Sequence, residues 1–337
     1  MSSWTPKEIS KESIKLEAWF EENKRPLPWR KTRKAYNIWI SEIMLQQTTV
    51  TAVIPFYQKF MKSFPTVKRL AEASQEEVYK HWAGLGYYSR ARNIHKAAKE
   101  LVKLKSFPKT YEELIKLPGL GDYSSRAISS QAFGEKVGVV DGNVIRVLSR
   151  RFGKAFEHWK TKDKKELQLI ADEYVKTGNP SNINQAMMEL GATICIPTNP
   201  TCLLCPLKKN CMALKKDLIN ELPIKKPKKA TEIWTWEAEI YENKGKVAFV
   251  NNEYAPFLKK QLILPGKVAQ KKVAPKTYDF QHGITHHKIY VKLTRKKSKF
   301  SSAKSAQYTW LSRKQLKEKV PFSLIQKAID VGLGDKK

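Results

Sequence analysis

The chain holds 337 residues, enough for two domains of ordinary size, and sets 63 Lys+Arg against 32 Asp+Glu for a net charge of +31. That surplus calls for a polyanionic partner, a nucleic acid or an acidic membrane face. No apolar run approaches the roughly 18 residues of a bilayer span, and Met1 to Glu22 has charges throughout with no apolar signal-peptide core, so the expectation is a soluble, cytoplasmic protein with no membrane partner.

In chain order, the first chemistry-bearing segment is a helical run around Glu42. Ile38 and Trp39 lie one turn before Glu42, and Leu45 and Gln46 one turn after it. Glu42 is therefore either the surface carboxylate of an amphipathic helix or a carboxyl held among apolar groups, which resists ionisation and keeps a proton near neutral pH. Thr110 to Lys116 reads as a helix, Leu117-Pro118-Gly119-Leu120-Gly121 breaks it, and Asp122 to Ala132 resumes it. Two helices joined in this way form a helix–hairpin–helix. Gly119 and Gly121 allow a tight turn whose backbone N–H groups can meet a phosphate at the second helix's N-terminus. An ordinary αα corner has the same pattern, but Lys116, Arg126 and the net charge favour a DNA backbone contact. Asp141 precedes a helical run from Val144 to Arg151, a position that suits an N-cap without excluding chemistry.

All four cysteines fall within Cys195, Cys202, Cys205 and Cys211, a C-x6-C-x2-C-x5-C pattern broken by Pro197, Pro200 and Pro206. Clustered cysteines in a large chain without a signal peptide read as a metal centre and not as a disulfide framework. Zinc sites usually pair two C-x2-4-C knuckles, whereas only one such pair exists here. An iron–sulfur cluster also takes four cysteines, so spacing leaves both open and favours the cluster.

After Glu221 the composition shifts. Leu222 to Lys229 is rich in Pro and Lys and reads as an extended linker. Trp234, Trp236, Ala238 and Ile240 then alternate with Thr235, Glu237 and Glu239, a half-buried strand. Lys246 to Val250 and Lys288 to Leu293 also read as strands, and Ser323 to Val331 as a closing helix. From Lys225 onward there are 26 Lys+Arg against 9 Asp+Glu. That excess is a solvated surface that raises non-specific DNA affinity.

The hairpin and the four-cysteine run, in this order, resemble the helix–hairpin–helix DNA glycosylases that carry a [4Fe-4S] cluster, with Val139-Val140-Asp141-Gly142-Asn143-Val144 supplying the aspartate that follows the hairpin. Leu27-Pro28-Trp29-Arg30, Trp39-Ile40-Ser41-Glu42-Ile43-Met44-Leu45-Gln46-Gln47-Thr48 and Gly84-Leu85-Gly86-Tyr87-Tyr88-Ser89-Arg90 closely resemble adenine glycosylases of the MutY type. The resemblance covers about residues 7 to 222. It departs from the endonuclease III branch at Tyr123, where that branch has a Schiff-base lysine.

The resemblance implies a mainly α fold: a two-lobed glycosylase body with a cluster loop and a small C-terminal α+β Nudix-like domain. Residues 1–24 and 136–221 would form the cluster lobe and 25–135 the six-helix-barrel lobe with the hairpin. Residues 222–232 would be the linker and 233–337 the lesion-recognition domain. The implied function is hydrolytic removal of adenine opposite 8-oxoguanine or guanine from double-stranded DNA by a monomer. The setting would be bacterial-type and nucleoid-associated.

Glu42 would act as acid and Asp141 as stabiliser or nucleophile, with Tyr123 and Asn143 orienting them. The resemblance further assigns Trp29, Arg30 and Gln185 to the adenine pocket, and Gln47 with a tyrosine of Tyr87-Tyr88, taken as Tyr88, to the gap left by base flipping. Phe280 to His286 lines up with a lesion-reading loop whose usual Phe-Ser-His is Ile284-Thr285-His286 here, leaving Thr285 and His286 to meet the opposite base. The Glu-rich metal-binding helix of true Nudix hydrolases is missing. The alternatives weighed are a thymine-mismatch or pyrimidine glycosylase on the same scaffold and a non-catalytic DNA-binding iron–sulfur protein.

Overall fold

A computed structural model describes residues 5–227, 229–297 and 307–334, apart from the side chains of residues 297, 317 and 318. Lys228 of the expected linker, and residues 298–306 and 335–337 of the expected C-terminal domain, lie outside the described residues. The chain divides into two compact units, Met1–Lys226 and Pro227–Lys337.

The first unit is helical: α1 (Pro6–Asn23), α2 (Ala35–Leu45), α3 (Val50–Ser63), α4 (Val67–Glu72), α5 (Gln75–Trp82), α6 (Tyr88–Leu101), α7 (Tyr111–Leu114), α8 (Asp122–Phe133), α9 (Gly142–Phe152), α10 (Thr161–Tyr174), α11 (Pro180–Thr193) and α12 (Met212–Lys215). It holds two apolar cores. One is built from α2 to α8 around Trp39, Phe60, Phe64, Trp82 and Ile128. The other joins α1 to α9, α10 and α11 through Leu16, Phe20, Leu148, Ile170 and Leu190. A buried polar knot ties the second core together. The Glu12 carboxylate accepts from Arg151 Nε at 2.8 Å, the Tyr174 hydroxyl at 2.5 Å and Asn210 Nδ2 at 2.8 Å. Each lone pair taken out of water is thus matched by a donor, as a buried charge requires.

The hairpin is less symmetric than the sequence suggests, because its first helix is a single turn. Thr110 caps α7 in a reciprocal capping box with Glu113, and the chain then bends through Leu117–Gly121 into α8. Gly119 lies at φ +80°, and a Cβ there would come within 2.5 Å of Asn93 Cβ, so both conformation and space demand glycine. The segment read as linker starts inside this first unit. Leu222 is buried, and its carbonyl accepts from Arg150 Nε at 2.8 Å.

Among the described residues the second unit is a seven-stranded sheet with two helices. Its strands are β1 (Glu232–Asn243), β2 (Lys246–Asn251), β3 (Leu262–Ile263), β4 (Gly266–Lys271), β5 (Phe280–Ile284), β6 (His287–Lys297) and β7 (Thr309–Ser312), followed by α13 (Arg313–Lys319) and α14 (Ser323–Leu333). The alternation in β1 buries Trp236, Ala238 and Ile240 fully, while Glu237 is exposed. β1 pairs in parallel with β6 from Glu232↔His287 to Glu242↔Lys297, and antiparallel with β4 from Ile233↔Lys271 to Ala238↔Gly266. β5 and β6 form a hairpin, and α14 contributes Leu324, Ile325, Ala328 and Ile329 to the core.

Candidate active site

Helix α2 is apolar on nearly every side, with Tyr36 to Met44 buried except Asn37, which marks a central helix and not a surface one. Its C-terminal carbonyls would be orphans in such a place. Buried Arg90 satisfies them, donating from Nη1 to Ile43 O at 2.9 Å and to Met44 O at 3.0 Å. Glu42 is the single carboxylate on this helix and is only 5% exposed, which disposes of the surface-glutamate alternative. Burial raises its carboxyl above the ordinary value. Hydrogen bonds from Gln131 and Tyr123 oppose the rise, the charge of Asp141 adds to it, and Arg30 opposes it. Gln131 Nε2 donates to Oε1 at 2.9 Å, and the Tyr123 hydroxyl donates to Oε2 at 2.9 Å.

Asp141 is the N-cap of α9: Oδ1 accepts from Val144 N at 2.7 Å, and Oδ2 accepts from Asn143 Nδ2 at 2.9 Å. Burial raises its carboxyl too, so the two carboxyls are not simply split into one raised and one ordinary group. The Asp141 rise is opposed by the amides of Val144 and Asn143 and by the Arg146 charge. A helix N-terminus and a nearby guanidinium both favour the ionised form, whereas full burial beside another carboxylate favours the protonated form at Glu42. Tyr123 feels both: burial, then the charges of Glu42 and Asp141, hold its hydroxyl well above the usual tyrosine range, so it remains a donor.

Asn143 reaches Asp141 because α11 lets it. A Cβ on Gly191 would come within 2.6 Å of Asn143 Cβ and 3.1 Å of its Cα, so only a glycine allows this approach. Arg146, one turn along α9, donates from Nη2 to Asn143 Oδ1 at 2.8 Å and from Nε to Cys195 O at 2.7 Å. Arg150 continues the same face, donating to Ile196 O at 2.7 Å and Pro197 O at 3.0 Å. Helix α9 thus connects Asp141 and Asn143 rigidly to the cysteine segment.

Of the residues assigned to a base pocket, Arg30 and Gln185 meet: Arg30 Nε donates to Gln185 Oε1 at 3.0 Å. A residue the sequence reading missed anchors them. Glu189, one turn beyond Gln185 on α11, accepts from Arg30 Nη2 at 2.9 Å and from Arg25 through Nε at 2.6 Å and Nη2 at 2.9 Å. Burial pushes the Glu189 carboxyl up, but the hydrogen bonds and charges of Arg25 and Arg30 prevail and hold it at about 2. Trp29 is mostly buried in the first core, edge-on to Tyr57 at 5.4 Å.

Gln47, at φ +57°, lines a cavity of about 250 Å³ together with Tyr87, Arg90, Asn93 and Gly119. Tyr87 is 58% exposed, whereas Tyr88 packs edge-on against Tyr79 at 5.4 Å. The tyrosine beside Gln47 is therefore Tyr87, not the expected Tyr88. Gly121 caps α8, and a Cβ there would meet nothing within 4 Å. Thr285 and His286 form the turn between β5 and β6 in the second unit.

The four cysteines are free thiols that line one small cavity with Ile194, Leu214 and Ile219. Burial raises each of them, Cys205 to about 12, and their mutual charges add to the rise at all four. Four sulfurs facing one cavity, disfavoured as bare thiolates, are a donor set suited to a thiolate-bound metal centre.

Gln131 was also invisible to the sequence reading. It sits two turns beyond Tyr123 on α8, a spacing that puts both side chains on one broad helix face, and this is the signal that could have found it. Among the described residues no helix is long and apolar enough to cross a membrane.

The pattern of HhH-GPD superfamily base excision DNA repair proteins matches residues 40–176, a stretch that contains Glu42, the hairpin and Asp141. The human protein named adenine DNA glycosylase is 44% identical over 212 residues, covering 60% of this chain. The chain spans only 39% of that human protein's length and 40% of the rat counterpart's. A relative of the same name from Buchnera aphidicola subsp. Baizongia pistaciae is 34% identical over 294 residues, 80% of each chain. Among solved structures, a thermostable thymine-DNA glycosylase superposes with a TM-score of 0.57 at 29% identity, covering 62% of this chain and 98% of that one. An endonuclease III–DNA complex does so at 0.52 and 25%, covering 64% and 99%. With a buried glutamate, a helix-capping aspartate and four cysteines lining one cavity in a hairpin-bearing body, and with that relative matched over four fifths of its length, the chain belongs to the adenine DNA glycosylase family of the HhH-GPD superfamily.

Proposed function

We propose that this protein excises adenine from duplex DNA by hydrolysing its N-glycosidic bond and leaves an abasic site. The observation that carries the reading is that buried Glu42 and the helix-capping Asp141 act on each other and on Tyr123, which donates to Glu42 Oε2 at 2.9 Å; burial raises both carboxyls, and the amides at the start of α9 and Arg146 oppose the rise at Asp141. Breaking a C–N glycosidic bond needs a proton for the departing base and negative charge beside the oxocarbenium-like sugar. Glu42 gives its proton to a ring nitrogen of adenine, and the bonding pair leaves with the base. Asp141, fixed at the start of α9, faces the sugar carbon as counter-charge or transient nucleophile until water takes the carbon. Tyr123 and Gln131 fix the Glu42 oxygens, and Asn143 fixes Asp141. Tyr123 has no amine to form a Schiff base, so base removal is not coupled to strand cleavage.

To reach this site adenine leaves the stack. Arg30 and Gln185, braced by Glu189, offer donors and acceptors to its edge, and Trp29 backs the pocket. Gln47 with Tyr87 fills the gap, and the backbone amides at Gly119 and Gly121 seat the backbone phosphate. The four cysteines hold a [4Fe-4S] cluster that pins the loop through Arg146 and Arg150, a structural role with no step in the chemistry. The cluster lobe is residues 1–24 with 136–221, and the hairpin lobe is 25–135. The C-terminal unit is a Nudix-like module whose Thr285 and His286 read 8-oxoguanine or guanine opposite the adenine. The working form is a monomer, bacterial-type and nucleoid-associated.

Single-turnover base release, scored as alkali-labile strands on duplexes differing only in the base opposite adenine, tests this reading. Release from A opposite 8-oxoguanine or G supports it, and release of thymine or cytosine with none of adenine refutes it.

A further inference from the structure

We propose that Glu232, His286 and His287 form a binding site for a divalent transition-metal cation of the zinc class, at the turn of the β5–β6 hairpin. Nothing in the excision chemistry calls for a metal there, so the inference goes beyond the proposed function.

Parallel pairing of β1 with β6 sets Glu232 opposite His287, and the Glu232 N–H donates to His286 O at 2.9 Å. Consecutive residues of a continuing strand point to opposite faces. Here the chain turns at Thr285, a β-branched residue held at φ +54°, and the two imidazoles come to lie side by side, 4.1 Å between centroids and tilted by 37°. His286 Nε2 lies 3.4 Å from Glu232 Oε1, His287 Nδ1 lies 3.1 Å from Oε2, and one donor atom from each residue falls within 4.8 Å of the others. Two ligands held about 2.0–2.1 Å from a tetrahedral zinc are about 3.3 Å apart, so each imidazole–carboxylate spacing suits a pair of ligands on one ion.

A plain histidine–glutamate ion pair accounts for the site less well. Nδ1 of His287 is buried and lies 3.1 Å from a carboxylate oxygen that it attracts, but without the alignment of a well-formed N–H···O bond. In an ion pair the ring N–H would point at that oxygen. Two protonated imidazoles in near contact would also repel each other. A cation shared by the three side chains satisfies the stranded nitrogen and removes the need for ring protons. The surroundings prepare the ligands. The Thr285 hydroxyl donates to Ile284 O at 2.7 Å, which leaves its lone pairs facing His286 Nδ1 at 3.3 Å. A proton held on Nδ1 frees Nε2 as a ligand, and Trp234 Nε1 donates to Glu232 Oε2 at 2.9 Å to fix the carboxylate. The lysines of this unit oppose a cation only through a screened field, whereas the ligands act at contact distance. Three protein ligands leave one position for water or an incoming donor.

The test uses the full chain with its cysteines loaded and is read without DNA, so its outcome is independent of the excision reading. Loose metal is removed by chelation and Zn²⁺ is titrated by calorimetry into the wild type, E232Q and H287A, each checked for folding by circular dichroism and melting. One equivalent beyond the cysteines, weakened at least about tenfold in each variant, is expected. No such equivalent, or one with the same affinity in both variants, overturns the site. Co²⁺ absorption of the wild type gives a readout that needs no variant: intense four-coordinate bands support the site, and a spectrum like that of the aqueous ion rejects it.

Discussion

Replacing Gln131 with leucine probes how Glu42 keeps its proton. Gln131 Nε2 donates at 2.9 Å to Oε1 of a carboxyl that is 5% exposed, and this bond favours the ionised form. Hydrogen bonds to charged groups are worth about 1.5–3 kcal/mol, so losing this one removes a preference of that order for the ionised form and should push the Glu42 carboxyl higher still. The acid works only when protonated, so activity falls as pH rises through its pKa. In Q131L that fall should move to higher pH, while the plateau rate drops because Oε1 is no longer held. The measurement is single-turnover adenine release across pH for both proteins, at saturating enzyme. An unmoved alkaline limb, or one displaced to lower pH, would falsify the assignment of Gln131 and weaken that of Glu42.

Two further predictions concern the frame. Glu189 falls from an ordinary 4.5 to about 2 on folding, so its stabilisation is fully present above about pH 4.5 and is lost as pH drops toward 2. With Glu189 nearly fully buried but Arg25 37% exposed, a contribution of about 2–3 kcal/mol is expected. E189Q should flatten the acid limb of urea-unfolding free energy against pH; an unchanged limb contradicts the ion-pair account. Cys202→Ser, which breaks the four-sulfur set, should lower both Tm and duplex affinity, because Arg146 and Arg150 tie that loop to α9. A stable variant with normal DNA binding would detach the loop from both roles.

Much of this was legible in the sequence where the pattern is local. The β1 alternation marked the buried residues from Trp236 to Ile240, though not Trp234, which is only half-buried; the Leu117–Gly121 break marked the hairpin, and the apolar neighbours of Glu42 foretold its burial. Asp141 read as an N-cap because the helix start follows it directly. The rest depends on approach between distant segments. Gln131 is 89 positions from Glu42, Arg90 caps α2 from another helix, and Glu189 meets Arg25 across 164 positions. Tyr87 and Tyr88 are indistinguishable by type, and only the left-handed backbone at Tyr87 turns that ring outward. Likewise Glu232 and the two histidines are joined only by a parallel strand pairing that alternation cannot announce.

The most direct test of the two-carboxylate account is single-turnover base release by E42Q and D141N, run beside binding of the same mispaired duplex. The account predicts that each substitution slows release by about 10²–10⁴-fold or more while duplex affinity is kept. Near-normal release by either variant, with the duplex still bound, would contradict it.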